Sequence, residues 1–401
     1  MTYLFQNDPN TDAFGRLRVS NPLTLFDSSH RYADNGLWAT SNTSGGTAVF
    51  NSNQGVMDLS VTTTSGSQVI RETIKVFAYQ PGKSLLVLQT FAMASAQANL
   101  VQRVGYFGAQ NGIYLELDGS TLYFVKRSYV SGSVVETYIA QHNWNYDVFD
   151  GTGASGIVLD ISKAQILFMD MEWLGVGSVR LGFVIDGKFY LAHTFHHANI
   201  ETTTYITTAC LPLRYEIFNT RTTSQNSTLK QICSTVMSEG GYELRGFQQA
   251  ATIPIGTPYT LASAGTYYPV LSLRLKSTRL DAIIILTALS ILPTSAGNYQ
   301  WRLSAGGTTT GGSWVSAGTN SSVEYNITGT SFTDGRPLTA GFTSATNQSA
   351  SNVDILKEAL FKFQLERNGL TSTPFELTLN IASDGASDTV LANLDWEEIS
   401  R

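Results

Sequence analysis

The sequence predicts an all-β protein. It reads as an extended arm over residues 1–20, a larger β-sandwich over 21–245, a linker at 246–258 and a smaller β-sandwich over 259–401. Three observations carry this expectation. Apolar and polar residues alternate with period two in run after run, as half-buried strands require. Turn residues punctuate the runs at short intervals, which favours a sandwich over βαβ units. Helical periodicity is nearly absent. A chain of 401 residues also exceeds the ~250–300 that one core usually serves.

In chain order, SQVIRETIKVFAY (67–79) and KSLLVLQTFAM (83–93) alternate cleanly. GIYLELDGSTLYFVKR (112–127) is a hairpin with its turn at Asp118-Gly119. AQILFMDMEWLG (164–175) is a further strand, and SVRLGFVIDGKFYLAHTF (178–195) is a hairpin turning at Asp186-Gly187. LPLRYEIFN (211–219) follows. Past the linker come YYPVLSLRLK, DAIIILTALSIL, NYQWRLSAGG, SVEYNITG, FKFQLERN, PFELTLNIAS and VLANLDWEEI. Tyr, Phe, Val, Ile and Thr dominate these runs because they fit a pleated surface. One short helix is a candidate at 352–361, with Asn352 as N-cap. Residues 306–318, GGTTTGGSWVSAG, read as a flexible loop carrying an exposed Trp314.

Composition excludes several classes. Hydrophobic residues reach 42%, enough for sizeable cores, so charge-driven disorder is excluded. Charged residues are only 14%, against about 25% in an average soluble protein. A net charge of −6 argues against nucleic acid as a partner. Cys210 and Cys233 cannot form a disulfide framework, and two buried free thiols are expected. No run approaches the ~18–20 apolar residues of a membrane span, and residues 1–20 do not read as a secretory leader. Phosphate-loop, dinucleotide, nucleophile-elbow and HExxH motifs are absent, so no cofactor is expected.

Three stretches carry a family resemblance. The first is Asp12-Ala-Phe-Gly-Arg-Leu-Arg-Val-Ser20 with Asn21-Pro-Leu-Thr-Leu-Phe-Asp27. The second is Glu172-Trp-Leu-Gly-Val-Gly, running on to Asp186, with His193-Thr-Phe-His-His-Ala-Asn199 and Leu211-Pro-Leu-Arg-Tyr-Glu216. The third is Ser238-Glu-Gly-Gly-Tyr242. Together they resemble a group of virion structural proteins of tailed bacteriophages and other large DNA viruses. The match spans most of 12–245; the C-terminal part, ending in Asp395-Trp-Glu-Glu398, is similar more loosely. The resemblance implies a concanavalin-like jelly roll after an anchoring arm. It also implies a non-enzymatic role as a decoration, fibre or tail component, made in the host cytoplasm and carried in the virion. Partners would be capsid or tail subunits and further copies of the chain, a trimer being the first expectation. Neither nucleic acid nor membrane is expected as a partner.

Particular residues sharpen this. If the arm is extended, Arg16 and Arg18 face one side and Leu17 and Val19 the other. Phe14, Leu17 and Val19 could then dock on a neighbouring subunit, with both arginines on its carboxylates. The other reading makes this stretch the first strand of the chain's own sandwich. The Asn143-Trp-Asn-Tyr-Asp147 loop mixes aromatics, amides and an acid, so Trp144, Tyr146 and Asp147, with Trp314, are candidates for host-surface glycan. The alternative is ordinary packing of the rings. Asp170 and Glu172 would share one strand face about 6–7 Å apart, within the ~5–9.5 Å used by glycosidases. A solvated face, or a pairing of this face with Arg180 across the hairpin, is the competing account. His193 and His197 would lie ~13 Å apart along a strand, too far to share a metal.

Overall fold

The computed structural model describes residues 11–12, 14–17, 21–241, 243, 245–333, 335–346, 349–350 and 363–400. The candidate helix at 352–361, and Arg18 and Val19 of the arm, lie outside them. Two compact units divide the chain, Met1–Glu243 and Leu244–Arg401.

The first unit runs β1 (Leu23–Ser29), β2 (Trp38–Thr43), β3 (Thr47–Asn51), β4 (Val56–Val61) and β5 (Gln68–Thr73). It continues with β6 (Leu85–Ala92), β7 (Leu100–Phe107), β8 (Gly112–Asp118), β9 (Thr121–Ser128) and β10 (Val135–Ala140). It ends with β11 (Gln165–Met171), β12 (Val179–Ile185), β13 (Lys188–Phe195), β14 (Leu213–Asn219) and β15 (Ser227–Ser238). Among the described residues these form two antiparallel sheets. One is ordered β13-β12-β11-β6-β15-β4-β3, with β1 also on β15; the other is ordered β10-β9-β8-β7-β14-β5-β2. The chain passes repeatedly from one sheet to the other, as at β5–β6, β6–β7, β10–β11 and β13–β14, which is the connectivity of a jelly roll. Period-two alternation sends one face of each sheet inward. Leu59, Val87, Met169, Leu181 and Phe183 meet Val104, Leu115, Phe124, Tyr215 and Ile217 in a single core.

Both expected hairpins form. Ile185 pairs with Lys188 across Asp186-Gly187, and both turn residues have positive φ (52° and 74°), which suits a type I′ turn. In the other hairpin Asp118 pairs with Thr121, so the turn residues are Gly119-Ser120, one position later than expected. Gly119 alone has positive φ (59°), so glycine occupies the first turn position and Asp118 ends the strand.

The second unit is also a sandwich. Asp388–Ser400 is flanked by Phe247–Thr252 and Tyr259–Leu261 on one side and Ile283–Pro293 on the other. A larger sheet contains Val323–Asn326, Tyr268–Leu275, Glu376–Ser383, Gly297–Thr310 and Arg336–Thr346, in that order. Ile284, Ile291, Leu394 and Trp396 of the first sheet share a core with Leu271, Leu273, Trp301 and Leu379 of the second. The 246–258 linker is corrected here, because Phe247–Thr252 is a strand paired residue by residue with Asn393–Glu398. Only Ala251 of that strand is buried, so it lacks the alternation that would reveal it. The 306–318 loop is likewise partly strand, at Gly297–Thr310 and Val315–Ser316. Cys210 and Cys233 form no disulfide, but neither is buried, and Cys233 is exposed. No helix among the described residues is long and apolar enough to cross a membrane.

Candidate functional site

Two stretches far apart in sequence meet in the first unit: the arm motif and the Glu172 motif. The described arm residues, 11–12 and 14–17, are not extended. Thr11 and Leu17 form an antiparallel bridge, and a tight turn closes between them. Asp12 organises that turn. Its Oδ1 accepts from the backbone N–H of Phe14 (3.0 Å) and of Arg16 (2.9 Å), and its Oδ2 accepts from Arg16 Nε (2.7 Å). Gly15 takes a positive φ of 77°, and its N–H donates to the Asp12 carbonyl at 2.8 Å. The expected outward pairing of Arg16 is therefore corrected: its guanidinium closes on its own Asp12 and lies 4.8 Å over the Phe14 ring.

The base of the turn is clamped. Met169, Met171, Val179 and Leu181 point into the core, so Asp170 and Arg180 lie on the outer face of β11 and β12. There they form an ion pair, with Arg180 Nε donating to Asp170 Oδ2 at 2.9 Å. The same guanidinium donates from Nη2 to the Thr11 carbonyl oxygen, and its Nη1 reaches Thr11 Oγ1 at 3.4 Å. Thr11 and Asp12 are buried as a result, while the tip stays bare: Phe14 is 40% exposed and Leu17 56%.

Glu172 lies just past β11, so it does not share a regular strand with Asp170. A tight loop through Leu174 (φ 36°) and Gly175 (φ 81°) returns the chain, and the Gly177 N–H donates to the Trp173 carbonyl at 2.7 Å. The Glu172 carboxyl packs on Gly177, where an added Cβ would sit 2.7 Å from its Cδ. Burial raises this carboxyl to about 7; Asp12 and Asp170 add to the rise, and the Ser178 N–H and Arg16 oppose it. Asp170 is committed to Arg180 rather than free as an acid or nucleophile, so the pair lacks the layout of a glycosidase.

The other sequence candidates land elsewhere. Trp144 is a core residue, only 4% exposed, stacked on Phe124 with ring centroids 4.4 Å apart and edge-on to Phe149. As a sugar platform it is corrected, because its ring faces are already occupied. Asp147 is also buried. Its Oδ1 accepts from the Phe149 N–H (2.9 Å) and its Oδ2 from the Ser155 N–H (2.7 Å), so it ties down its own loop. Tyr146 is half-buried, and its N–H donates to the Ala192 carbonyl. Trp314 is half-buried under Arg274, whose guanidinium carbon sits 4.0 Å from the ring. Trp144→Ala should cost about 3–5 kcal/mol of unfolding free energy by denaturant titration. A stability loss below about 1 kcal/mol would return Trp144 to the surface.

His197 is buried, stacks on Tyr205 at 3.7 Å and contacts the Gly177 carbonyl oxygen through Nδ1 at 2.6 Å. Burial lowers both His193 and His197 to about 4. No group of three His, Cys, Asp or Glu among the described residues is placed to hold a metal ion.

One feature escapes sequence reasoning. The outer face of the β10–β2 sheet carries a run of ion pairs: Glu72–Arg214 (3.4 Å), Arg214–Glu216 (2.7 Å), Glu216–Arg103 (3.1 Å) and Arg103–Glu116 (2.5 Å). Arg103 lies over Tyr114 and Phe218, and Arg127 lies over Phe107 and Tyr114. Tyr114 Oη donates to Glu136, which also pairs with Arg127. Burial raises Glu136, but donation from Tyr138, Tyr114 and Arg127 outweighs it and holds the carboxyl at about 2. Each of these charges faces an opposite charge on the same sheet face, and Tyr138 at its rim is exposed.

No family model and no curated protein matches the chain. Among solved structures, the Emp47p carbohydrate recognition domain is similar at 10% identity and TM-score 0.34, over 56% of this chain and 99% of that one. Lectin II from Ulex europaeus is similar at 12% identity and TM-score 0.32, over 54% and 98%. A GH16 protein of Bacteroides ovatus in complex with product is similar at 9% identity and TM-score 0.36, over 53% and 99%. At these values the likeness is slight and transfers no property to this chain.

Proposed function

We propose that the chain is a non-enzymatic structural protein of a bacteriophage virion, attached to capsid or tail through its N-terminal arm and forming part of the particle surface. One observation carries the reading. The arm turn is fixed at its base by Arg180 and Asp12, yet it holds an aromatic and an aliphatic side chain in solvent. A fixed turn loses little further entropy on docking, so Phe14 and Leu17 suit a preorganised plug for a neighbouring subunit. The sandwiches then supply bulk and surface, and further copies of the chain, three as a first expectation, complete the assembly.

Phe14→Ser combined with Leu17→Ser should leave the melting temperature unchanged, because both side chains are exposed, and should abolish incorporation into particles. Normal copy number in purified particles would rule out the anchoring role. The second reading, recognition of host-surface glycan, loses Trp144. Of its candidates Tyr146 and Trp314 remain half-buried rather than buried. Saturable binding of the isolated protein to host polysaccharide would support it.

A further inference from the structure

We propose that the β10 edge of the first unit is a self-docking surface: two copies of this chain join edge to edge, antiparallel, about a twofold axis at Thr137. This is independent of the arm, and it gives contact between copies a definite surface.

An open strand edge offers N–H and C=O groups to another chain, and proteins commonly blunt such edges. Other edges of the first unit are blunted. Asn145 covers β13, donating from Nδ2 to the Thr194 carbonyl and accepting from the Thr194 N–H, both at 2.9 Å. β1 is bulged between Thr24 and Phe26, β3 has only five residues, and the exposed side chains of β2 are Thr40, Asn42 and Thr43. β10 differs. It pairs with β9 over six residues without a register shift and contains no proline. Its one charged residue, Glu136, is paired with Arg127 of β9. Val135 is 51% and Tyr138 42% exposed, and Val134 just before the strand is 46% exposed.

Register shows which backbone groups are on offer. The two-residue turn makes Asp118 and Thr121 a hydrogen-bonded pair, so Thr121, Tyr123, Val125 and Arg127 turn their backbone groups to β8. The alternate residues Phe124, Lys126 and Ser128 turn to β10, where they meet Ile139, Thr137 and Val135. The N–H and C=O groups of Glu136, Tyr138 and Ala140 therefore point away from β9, and among the described residues no strand lies beyond them.

The edge also complements itself, which selects a second copy as the occupant. With the axis at Thr137, Glu136 of each copy lies opposite Tyr138 of the other, in hydrogen-bonded pairs. Tyr138 Oη already donates to Glu136 within one chain, so the pairing repeats that chemistry across the axis. On the opposite face Val135 meets Ile139, apolar against apolar. An axis at Glu136 would oppose two carboxylates, which is unfavourable. The Thr137 register thus joins two seven-stranded sheets into one. Three copies about a threefold axis would need a different surface.

Sedimentation equilibrium of the full chain over a concentration series reads the pairing. One strand edge is small beside the ~1,200–2,000 Å² of a standard interface, so wild type should pass from monomer to dimer as concentration rises. Tyr138→Glu opposes carboxylates at both ends and should weaken the dimer by about tenfold or more, whereas Tyr138→Lys sets a cation opposite each Glu136 and should retain it. Thr137→Cys reads the register. Opposed residues at a non-hydrogen-bonded position have Cα atoms ~4.5 Å apart, within disulfide reach. Mild oxidation should therefore give a covalent dimer. Val135→Cys, with its two copies ~13 Å apart, should not cross-link, and neither should wild type with its exposed Cys233. Tyr138 and Thr137 are exposed, so neither substitution disturbs the core. Should Tyr138→Glu fail to fold, the cross-link decides alone. A chain that stays monomeric throughout, or an assembly that Thr137→Cys does not cross-link, overturns the proposal. The arm is read in particles and this edge in isolated protein, so either can fail without the other.

Discussion

Replacing Arg180 with alanine should lower the unfolding free energy by about 3–5 kcal/mol and detach the arm turn at once. The guanidinium joins Asp170 to Thr11. Its removal takes the Arg180 guanidinium away from the buried Asp170 carboxyl and removes the donor to the Thr11 carbonyl. Breaking a buried ion pair costs far more than losing a surface pair, which is worth ~0–1 kcal/mol. Urea titration reads the first effect and tryptic cleavage after Arg16 the second. Arg180→Lys separates them. A lysine can neutralise Asp170 but lacks the planar fork that reaches Asp170 and Thr11 together, so stability should largely return while the turn stays open. A loss below about 1 kcal/mol for the alanine variant would mean that the pair is effectively solvated.

Arg103→Ala should be comparably damaging, by about 3–5 kcal/mol, without touching the arm. Arg103 stands between Glu116 and Glu216, both buried, and lies over two aromatic rings. Glu216 keeps Arg214 as a partner, so Glu116 bears most of the loss. Burial already raises the Glu116 carboxyl against the pull of Arg103. Without that cation it can protonate, so the deficit should shrink as pH falls. Arg103→Met with Glu116→Leu should recover much of it, because a matched apolar pair needs no counter-charge. If the double variant is no better than Arg103→Ala, the run of ion pairs acts as a unit rather than pair by pair.

The fold was largely legible because alternation and turn chemistry act locally. Ile185 to Lys188 shows this best, since two residues with positive φ fit the Asp-Gly pair found there. What was not legible depends on which sheet lies across from which. Trp144 reads as a sugar platform among Asn143, Asn145 and Tyr146, yet Phe124 and Phe183 close on it from other strands and Phe149 from further along its own loop. The arginines and glutamates of 103, 116, 214 and 216 occupy the polar phase of their strands, where solvent is the natural expectation. Register alone brings them into line. The Asp12 turn did carry a local signal, since an Asp followed by Gly three residues later suits a side-chain-capped turn. Reading the arm as extended concealed it. The meeting of Asp12 with Glu172 was beyond any local rule, because residues at opposite ends of a non-local sandwich carry no mark of their proximity.

The central claim is that the bare tip of the arm turn touches another subunit in the particle. A photo-crosslinking amino acid at Leu17, activated in assembled particles, tests it most directly. The account predicts a covalent product joining this chain to a capsid or tail subunit, absent when the same labelled chain is irradiated alone. Efficient incorporation with cross-links only within the chain would contradict it, and would leave residues 11–17 as an ordinary part of the sandwich's own packing.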